Sequence, residues 1–392
     1  MRIFLLTSKL NFETAGGSVM DLHLKAKGLV DLGHDVSVIT GFSQNNIIKT
    51  HLPYKVIEEH IPYRGLLGIQ YSAYHILKNH QKHADAYYVD GQIFIYAGGL
   101  FRVFGGKVPV IPFFNTRLNC MGDTAGNVDQ STLPFMKVLQ KKLRLWLEGT
   151  LGVIIANKNN AFIFNTPHVQ QIYRKFGYNT EKSLVIEDFV DMKSTVEKYK
   201  ITPSHITAIQ KKKEHIILFS TGRMLKEKGF DIIVNAFTLL QNKDRYHVIL
   251  SGDGPDKERV ENLVKEKGLE KYFTFPGWVD KETLSNYFLT SQIFIFPKWW
   301  IEYGSALLTE ALAFGLPCII PGGGALEWLT HGNVLTFTND APEALAKQIE
   351  EFGNNEKKRI LYGEKSLERV QTLDYSILSR SLSNVLEQAV AA

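Results

Sequence analysis

Apolar residues along this chain alternate between two periods. Short, nearly continuous apolar runs at Arg2 to Thr7, Asp35 to Thr40, Ala86 to Val89, Val108 to Phe114, Ala161 to Asn165 and Leu184 to Ile186 read as strands buried on both faces. In the second half, His215 to Ser220 and Gln292 to Phe296 read the same way. Between such runs the spacing switches to that of helices, over Val19 to Asp31, over Phe230 to Leu240, and at Leu307, Leu308, Ala311 and Leu312. Thr166-Pro167 is a helix start, with a capping hydroxyl followed by a proline at the first helical position. This alternation predicts an α/β fold with parallel sheets covered by helices on both faces. The pattern breaks between Asp191 and Lys213, where Thr-Pro-Ser and a run of lysines precede a fresh strand. We therefore expect a first domain over 1–191, a second over 192–374, and a last helix from Tyr375 to Ala392.

Composition narrows the class. The chain has 392 residues, 44% hydrophobic and 22% charged, which suits a globular protein of two domains. Two cysteines, Cys120 and Cys318, give neither a disulfide framework nor metal spacing, so a reducing cytosol is the default expectation. The first segment lacks the features of a secretory signal, and no apolar run approaches the length of a membrane span. No Asp-x-Asp pair offers a carboxylate site for a catalytic metal. Charge is uneven: residues 1–191 carry 20 Lys and Arg against 15 Asp and Glu, and residues 192–392 carry 25 against 25. The net charge of +5 thus sits in the first half. There, Phe135 to Leu147 has Lys137, Lys141 and Arg144 on one helical face and Phe135, Leu139, Leu143 and Trp146 on another. A second amphipathic stretch, Leu66 to His83, is apolar at first and then rich in Lys and His. A basic amphipathic surface suits the edge of an anionic membrane, although a helix packing its apolar side on the domain core gives the same pattern.

Two turns carry candidate chemistry. After the strand at 215–220 comes Thr221-Gly222-Arg223, then Lys228-Gly229 and a helix. Arg supplies a planar fork and Lys a point charge, a combination that holds a diphosphate, at the strand end where open α/β sheets bind ligands. After the strand at 292–296 comes Glu302-Tyr-Gly304-Ser305-Ala306, with Glu310 on the helix that follows. The N–H groups of a helix start favour phosphate, and carboxylates accept paired hydrogen bonds from vicinal hydroxyls. In the first half, Gly16-Gly17-Ser18 lets backbone approach a phosphate at another helix start.

Taken in order, these motifs resemble the retaining glycosyltransferases of family four, glycosyl transferases group 1, over nearly the whole chain. The matching segments are Gly222-Arg223…Lys228-Gly229, Ser251-Gly252-Asp-Gly254-Pro, Phe275-Pro-Gly277-Trp-Val279, Glu302…Glu310 with Ala311-Leu-Ala-Phe-Gly-Leu-Pro317, Ala15-Gly16-Gly17-Ser18, Gly33-His-Asp-Val36 and Leu184-Val-Ile-Glu-Asp-Phe-Val-Asp191. The resemblance implies the GT-B fold: two Rossmann-like domains with parallel sheets facing across a cleft, the first binding the acceptor, the second the nucleotide sugar, and the last helix crossing back to the first. It implies transfer of a sugar from a nucleoside-diphosphate sugar to a glycan or lipid-linked acceptor, with no cofactor and no metal, in the cytoplasm or at the inner face of the cytoplasmic membrane. By resemblance Glu302, Arg223 and Lys228 are catalytic. Gly16, Gly17, Asn115, Gly222, Gly252, Val279, Gly304, Ser305, Ala306 and Glu310 bind the donor, with Glu310 on the ribose and Val279 near the base. Two departures stand out. Tyr303 and Gly304 come one and two residues after the first Glu, where the family has an aromatic residue and a glycine two and three after it. Asn115 stands where the family often has histidine. A sugar-nucleotide epimerase, a phosphorylase and a non-catalytic sugar-nucleotide binder remain open at this level.

Overall fold

The computed structural model describes residues 1–13, 17–48, 51–62, 65–118, 135–211, 215–297 and 304–392. Contacts divide the chain into two units, Met1–Val190 with Tyr375–Ala392, and Asp191–Asp374.

The first unit is built on seven strands: β1 (Arg2–Thr7), β2 (Asp35–Thr40), β3 (Lys55–Glu58), β4 (Ala86–Asp90), β5 (Val110–Phe114), β6 (Phe162–Phe164) and β7 (Ser183–Val185). They lie in the order β3-β2-β1-β4-β5-β6-β7, with parallel pairing throughout. Side chains of a strand alternate between faces. Accordingly Ile3 and Leu5 join one buried cluster, and Phe4 and Leu6 the other. That is why these strands read as unbroken apolar runs: helices cover both sides. The helix Tyr375–Ala391 belongs to this unit and packs on the helix Gly17–Asp31. The contact is close, since a Cβ on Gly28 would overlap Ser379 Oγ. Lys27 reaches the Tyr375 hydroxyl, and His34 Nε2 lies 2.7 Å from Ser383 Oγ.

The second unit has β8 (Ile216–Thr221), β9 (Tyr246–Ser251), β10 (Phe273–Gly277), β11 (Ile293–Ile295), β12 (Cys318–Pro321) and β13 (Leu335–Phe337), in the order β10-β9-β8-β11-β12-β13, again parallel. Each sheet reverses its strand order once, between β1 and β4 and between β8 and β11. Such a reversal opens a crevice beyond the carboxyl ends of the two strands, because their connections leave to opposite sides. Phe275-Pro-Gly277 is the end of strand β10. Proline is tolerated there because β10 is an edge strand, and its register on β9 is irregular between Thr274 and Gly277.

Candidate functional site

In the second unit the turns after β8, β9 and β10 are tied together by backbone hydrogen bonds. Gly222 N–H donates to Ser251 O at 3.1 Å, Met224 N–H to Asp253 O at 2.8 Å, and Gly252 N–H to Gly277 O at 2.7 Å. The Ser251 hydroxyl adds a bond to Gly277 O. This close approach requires glycine: an ideal Cβ on Gly252, at φ +122°, would lie 1.9 Å from Gly222 O. The turn after β9 is braced further by Arg259, whose guanidinium holds Asp256 at 2.6 and 2.8 Å and Asp231 at 3.2 Å.

From this platform the chain presents Arg223, exposed, and runs through a single tight turn, Lys226–Lys228, to Gly229 at φ +70°. That left-handed glycine ends the turn and starts the helix Phe230–Thr238, so Lys228 stands at a helix N-terminus. Lys228 is half-buried, and burial holds its ammonium below the usual lysine range, with Glu227 opposing the shift. A partly desolvated cation gains more from an incoming anion than a solvated one.

A second helix start lies alongside. Ser305 caps the helix Ala306–Ala313, its hydroxyl accepting from Leu308 N–H at 3.2 Å. Leu308, Ala311 and Leu312 are buried, which fixes the helix on the sheet and leaves Glu310 on its half-buried flank. Burial raises the Glu310 carboxyl above its usual range, and Lys281 at the start of the helix Lys281–Thr290 opposes that shift. The position a Cβ on Gly222 would take is 3.5 Å from Leu307 Cδ1, so the glycine turn and this helix start are neighbours. Gly304, Ser305 and Val279 are half-buried and Ala306 is exposed. Glu302 lies outside the described residues. The structure therefore gathers Gly222, Arg223, Lys228, Gly252, Gly304, Ser305, Ala306 and Glu310 around the carboxyl ends of β8, β9 and β11.

In the first unit, Gly17 opens the helix after β1, and Asn115 follows β5 at the same edge of the sheet. Asn115 Oδ1 accepts from Gln92 Nε2 at 2.6 Å, which leaves its amide N–H groups as what it can offer a ligand hydroxyl. Gly16 lies outside the described residues.

Sequence reasoning missed three features. Lys281 acts on Glu310 from another helix, its charge opposing the effect of burial, which no spacing along the chain reveals. The Gly322-Gly-Gly324 turn after β12, where Gly323 N–H bonds the Glu327 carboxylate, was signalled by its triple glycine after a buried strand. Gln92 had no signal beyond a polar residue just past a strand end.

Two parallel Rossmann-like units with sites at their strand ends define the GT-B class. The solved structure of Anabaena Alr3699/HepE in complex with UDP superposes with a TM-score of 0.73 at 17% identity, over 99% of this chain and 100% of that one. Residues 202–369 match the family model described as Glycosyl transferases group 1. Among its relatives, the 2-deoxystreptamine N-acetyl-D-glucosaminyltransferase of Niallia circulans is 33% identical over 113 residues, 28% of this chain and 29% of that protein. The alpha-monoglucosyldiacylglycerol synthase of Acholeplasma laidlawii is 23% identical over 195 residues, 50% of this chain and 42% of that protein. The chain thus spans less than half the length of either relative.

Proposed function

We propose that this protein is a retaining, metal-independent glycosyltransferase that moves a sugar from a nucleoside-diphosphate sugar to a glycan or lipid-linked acceptor. The observation that carries this reading is the pair of helix starts beside one interlocked glycine platform, with Arg223 and Lys228 at its edge. Backbone N–H groups, one guanidinium and one half-buried ammonium converge where a diphosphate would sit, and they stabilise the negative charge that grows on it as the sugar leaves. The binding of UDP by the Anabaena protein of the same fold, and the sugar transfer named for the relatives, support it. In this reading the leaving phosphate oxygen helps deprotonate the acceptor on the face it departs from. Glu302 orients the donor sugar and offsets its oxocarbenium character, Glu310 holds the ribose, and the Asn115 amide meets a sugar hydroxyl. Turnover of a panel of nucleotide sugars with crude glycan and lipid extracts tests the class. Release of nucleoside diphosphate that depends on neither extract, or conversion of the donor without acceptor, overturns it.

The clamp makes a direct prediction. Arg223→Ala and Lys228→Ala should each weaken nucleoside-diphosphate binding about tenfold or more, since a charge-assisted hydrogen bond contributes about 1.5–3 kcal/mol. Calorimetry reads this, and unchanged affinity in both variants removes these residues from the site.

The acceptor half of this reading includes contact with an anionic membrane, at the inner face of the cytoplasmic membrane. Its support is an exposed apolar stripe. On the helix Phe135–Leu147, Leu143 is 55% and Trp146 62% exposed, with Leu139 beside them. A π-helical stretch, Glu148–Gly152, then widens the turn and delays the rotation of the chain, so that Leu151 and Ile154, both exposed, prolong the stripe. The apolar face is thus turned to solvent and not to the core. Lys142 and Arg144 are exposed beside it; the side chains of Phe135, Lys137 and Lys141 lie outside the described residues. Leu67, Tyr71 and Val103 are exposed as well, on two helices that pack together, Leu66–His80 and Gly91–Val103, as is Phe104 just past the second. Among the described residues no helix is long and apolar enough to cross a membrane. A basic residue near an anionic surface contributes about 1 kcal/mol. Reversing Lys137, Lys141 and Arg144 to Glu should therefore cut co-sedimentation with anionic vesicles on the order of a hundredfold. Neutral vesicles should bind weakly, and salt should release the protein. Absence of binding to both vesicle types points to a soluble acceptor.

A further inference from the structure

A polar cavity of about 220 Å³ opens at the amino-terminal ends of β6 and β7, the opposite edge of the sheet from Gly17 and Asn115. Its walls come from two polar turns. One, Asn157-Lys-Asn-Asn160, follows the short helix Val153–Ala156 and leads into β6; the other ends at Lys182 and leads into β7. Asparagine suits such turns because its side chain bonds nearby backbone. Here that bonding also orients the amides. Asn179 N–H donates to Asn157 Oδ1 at 2.8 Å, and Asn157 Nδ2 to Gly177 O at 3.0 Å, which joins the two turns. Val110 N–H donates to Asn160 Oδ1 at 3.1 Å, and Glu181 N–H to Asn179 Oδ1 at 3.1 Å. Only the amide oxygen can accept from a backbone N–H, so both side chains have a fixed sense. Asn159 is the buried member of the wall, 8% exposed. It spends Nδ2 on Ala156 O at 2.8 Å and Ile95 O at 3.2 Å, and its carbonyl lies against Gly98, where an added Cβ would be 2.4 Å away.

What these side chains have left to offer is donors. The amide oxygens of Asn157, Asn160 and Asn179 are taken, whereas Nδ2 of Asn160 and of Asn179 has no partner among the described residues. Lys158 and Lys182 line the same cavity, both exposed, and neither pairs with a carboxylate among the described residues. No acidic side chain lines it. A cation would meet two like charges and no free side-chain oxygen, and a neutral sugar needs acceptors as well as donors. The set suits an anion. Two ammonium groups match a phosphate group, which carries close to two negative charges at neutral pH and several acceptor oxygens. A carboxylate brings one charge and two oxygens. The cavity is smaller than the roughly 300–1,000 Å³ of sites for drug-sized ligands, so it fits a small ion or the charged end of a longer molecule.

We propose that this cavity binds a phosphate group, as the free ion or as the monoester of a small sugar. Lys158 and Lys182 supply charge-assisted hydrogen bonds, and the oriented Nδ2 groups of Asn160 and Asn179 supply two neutral ones. The site belongs to the first unit, whereas the diphosphate clamp belongs to the second, so it is a separate site and does not rest on the transferase reading. Bound phosphate would bridge the turns that lead into β6 and β7. It would thereby steady β7, the edge strand of the sheet.

Calorimetry with inorganic phosphate, at an ionic strength held constant with chloride, tests this on the full chain carrying Arg223→Ala and Lys228→Ala, so that the diphosphate clamp does not compete. Saturable binding is expected, with a dissociation constant on the order of 1 mM or tighter, and acetate should bind about tenfold more weakly. Lys158→Gln and Lys182→Gln, both at exposed positions, should each weaken phosphate about tenfold. Asn179→Asp keeps the oxygen that Glu181 N–H needs and puts a negative oxygen in place of the free amide nitrogen. It should therefore fold, which a thermal melt verifies, and abolish binding; Asn160→Asp is a second variant of the same kind. Hydrogen exchange over residues 179–185 should slow when phosphate is bound. D-Glucose 6-phosphate separates the two sources: tighter binding than inorganic phosphate assigns the site to a sugar phosphate, weaker binding to the free ion. No saturable binding, equal affinities for phosphate and acetate, or phosphate binding that survives both lysine substitutions and Asn179→Asp would each overturn the proposal. None of these outcomes bears on nucleotide binding by the second unit.

Discussion

Glu302→Gln is expected to bind nucleoside diphosphate with nearly wild-type affinity and to lose turnover by on the order of a hundredfold or more. In the proposed reaction its partner is the departing sugar, not the nucleotide. A carboxylate placed against growing positive charge acts mainly in the transition state, and loss of such preorganised electrostatics typically costs about two to three powers of ten in rate. Glu310→Gln should behave in the opposite way. Its partner is the ribose, so nucleotide affinity should fall about tenfold, and turnover at saturating donor should change less. The same substitution has a signature without ligand. Burial raises the Glu310 carboxyl in the folded state. A carboxyl with a raised folded-state pKa makes the protein less stable as pH climbs past the unfolded-state value, because the charge must then be held in a water-poor place. Glu310→Gln should therefore raise the apo Tm at neutral pH, and the gain should vanish in acid, where both side chains are neutral. Calorimetric titration, steady-state kinetics and melts at two pH values separate the roles. If Glu302→Gln lost affinity and kept its rate, the two assignments would be exchanged.

β1, β2, β4, β5, β6, β8 and β11 were legible in the sequence because burial on both faces makes each an apolar run, whereas β3, β9, β10, β12 and β13 were not read from it. β1, β2 and β8 fall where the pattern puts them, to within a residue. The clamp turn was legible for a related reason: a buried strand, a glycine, one Arg, one Lys and a helix start follow one another in order, and local chemistry follows local sequence. What escaped is what depends on contacts between distant segments. The glycines at 222, 252 and 277 are visible as letters, but their bonding to one another is a property of three adjacent strand ends. Phe275-Pro-Gly277 carried a proline, which speaks against a strand, and only the edge position of β10 makes it acceptable.

Charge and exposure were the least legible. An Asp and a Lys four residues apart on a helix normally read as a solvated pair. Asp21 and Lys25 are instead buried, because the segment after β7 crosses over them and Phe189 bonds to Asp21. The helix at 135–147 shows the reverse. Its apolar spacing is equally consistent with packing on the core and with facing outward, since periodicity defines a stripe and not its neighbour. The exposed Leu143 and Trp146 decide between them, and the π-helical stretch that extends the stripe had no signal in the pattern of residues.

Gly252→Ala should be the most damaging single methyl group in the second unit. The added carbon would lie 1.9 Å from Gly222 O and 2.9 Å from its carbonyl carbon, against backbone that cannot rotate away as a side chain would. The residue also sits at φ +122°, a conformation that side chains with a Cβ rarely adopt. Steric overlap and backbone strain each cost about 1–3 kcal/mol, for a loss on the order of 3–5 kcal/mol. For a unit of this size that lowers Tm on the order of 10 °C. Relief of the clash requires the turns after β8 and β9 to separate, which breaks the Gly222–Ser251 and Met224–Asp253 bonds and moves Arg223 and Lys228 together. Nucleotide binding should therefore fall more than in either clamp variant, even at temperatures where the protein stays folded. Gly268→Ala is the matched control. It too has a positive φ, +64°, but no atom lies within 4 Å of its added carbon, so it bears backbone strain alone. It should lower Tm by a few degrees and leave nucleotide affinity unchanged. Equal effects of the two substitutions on both readouts would mean that the interlocked turns do not hold the clamp in place.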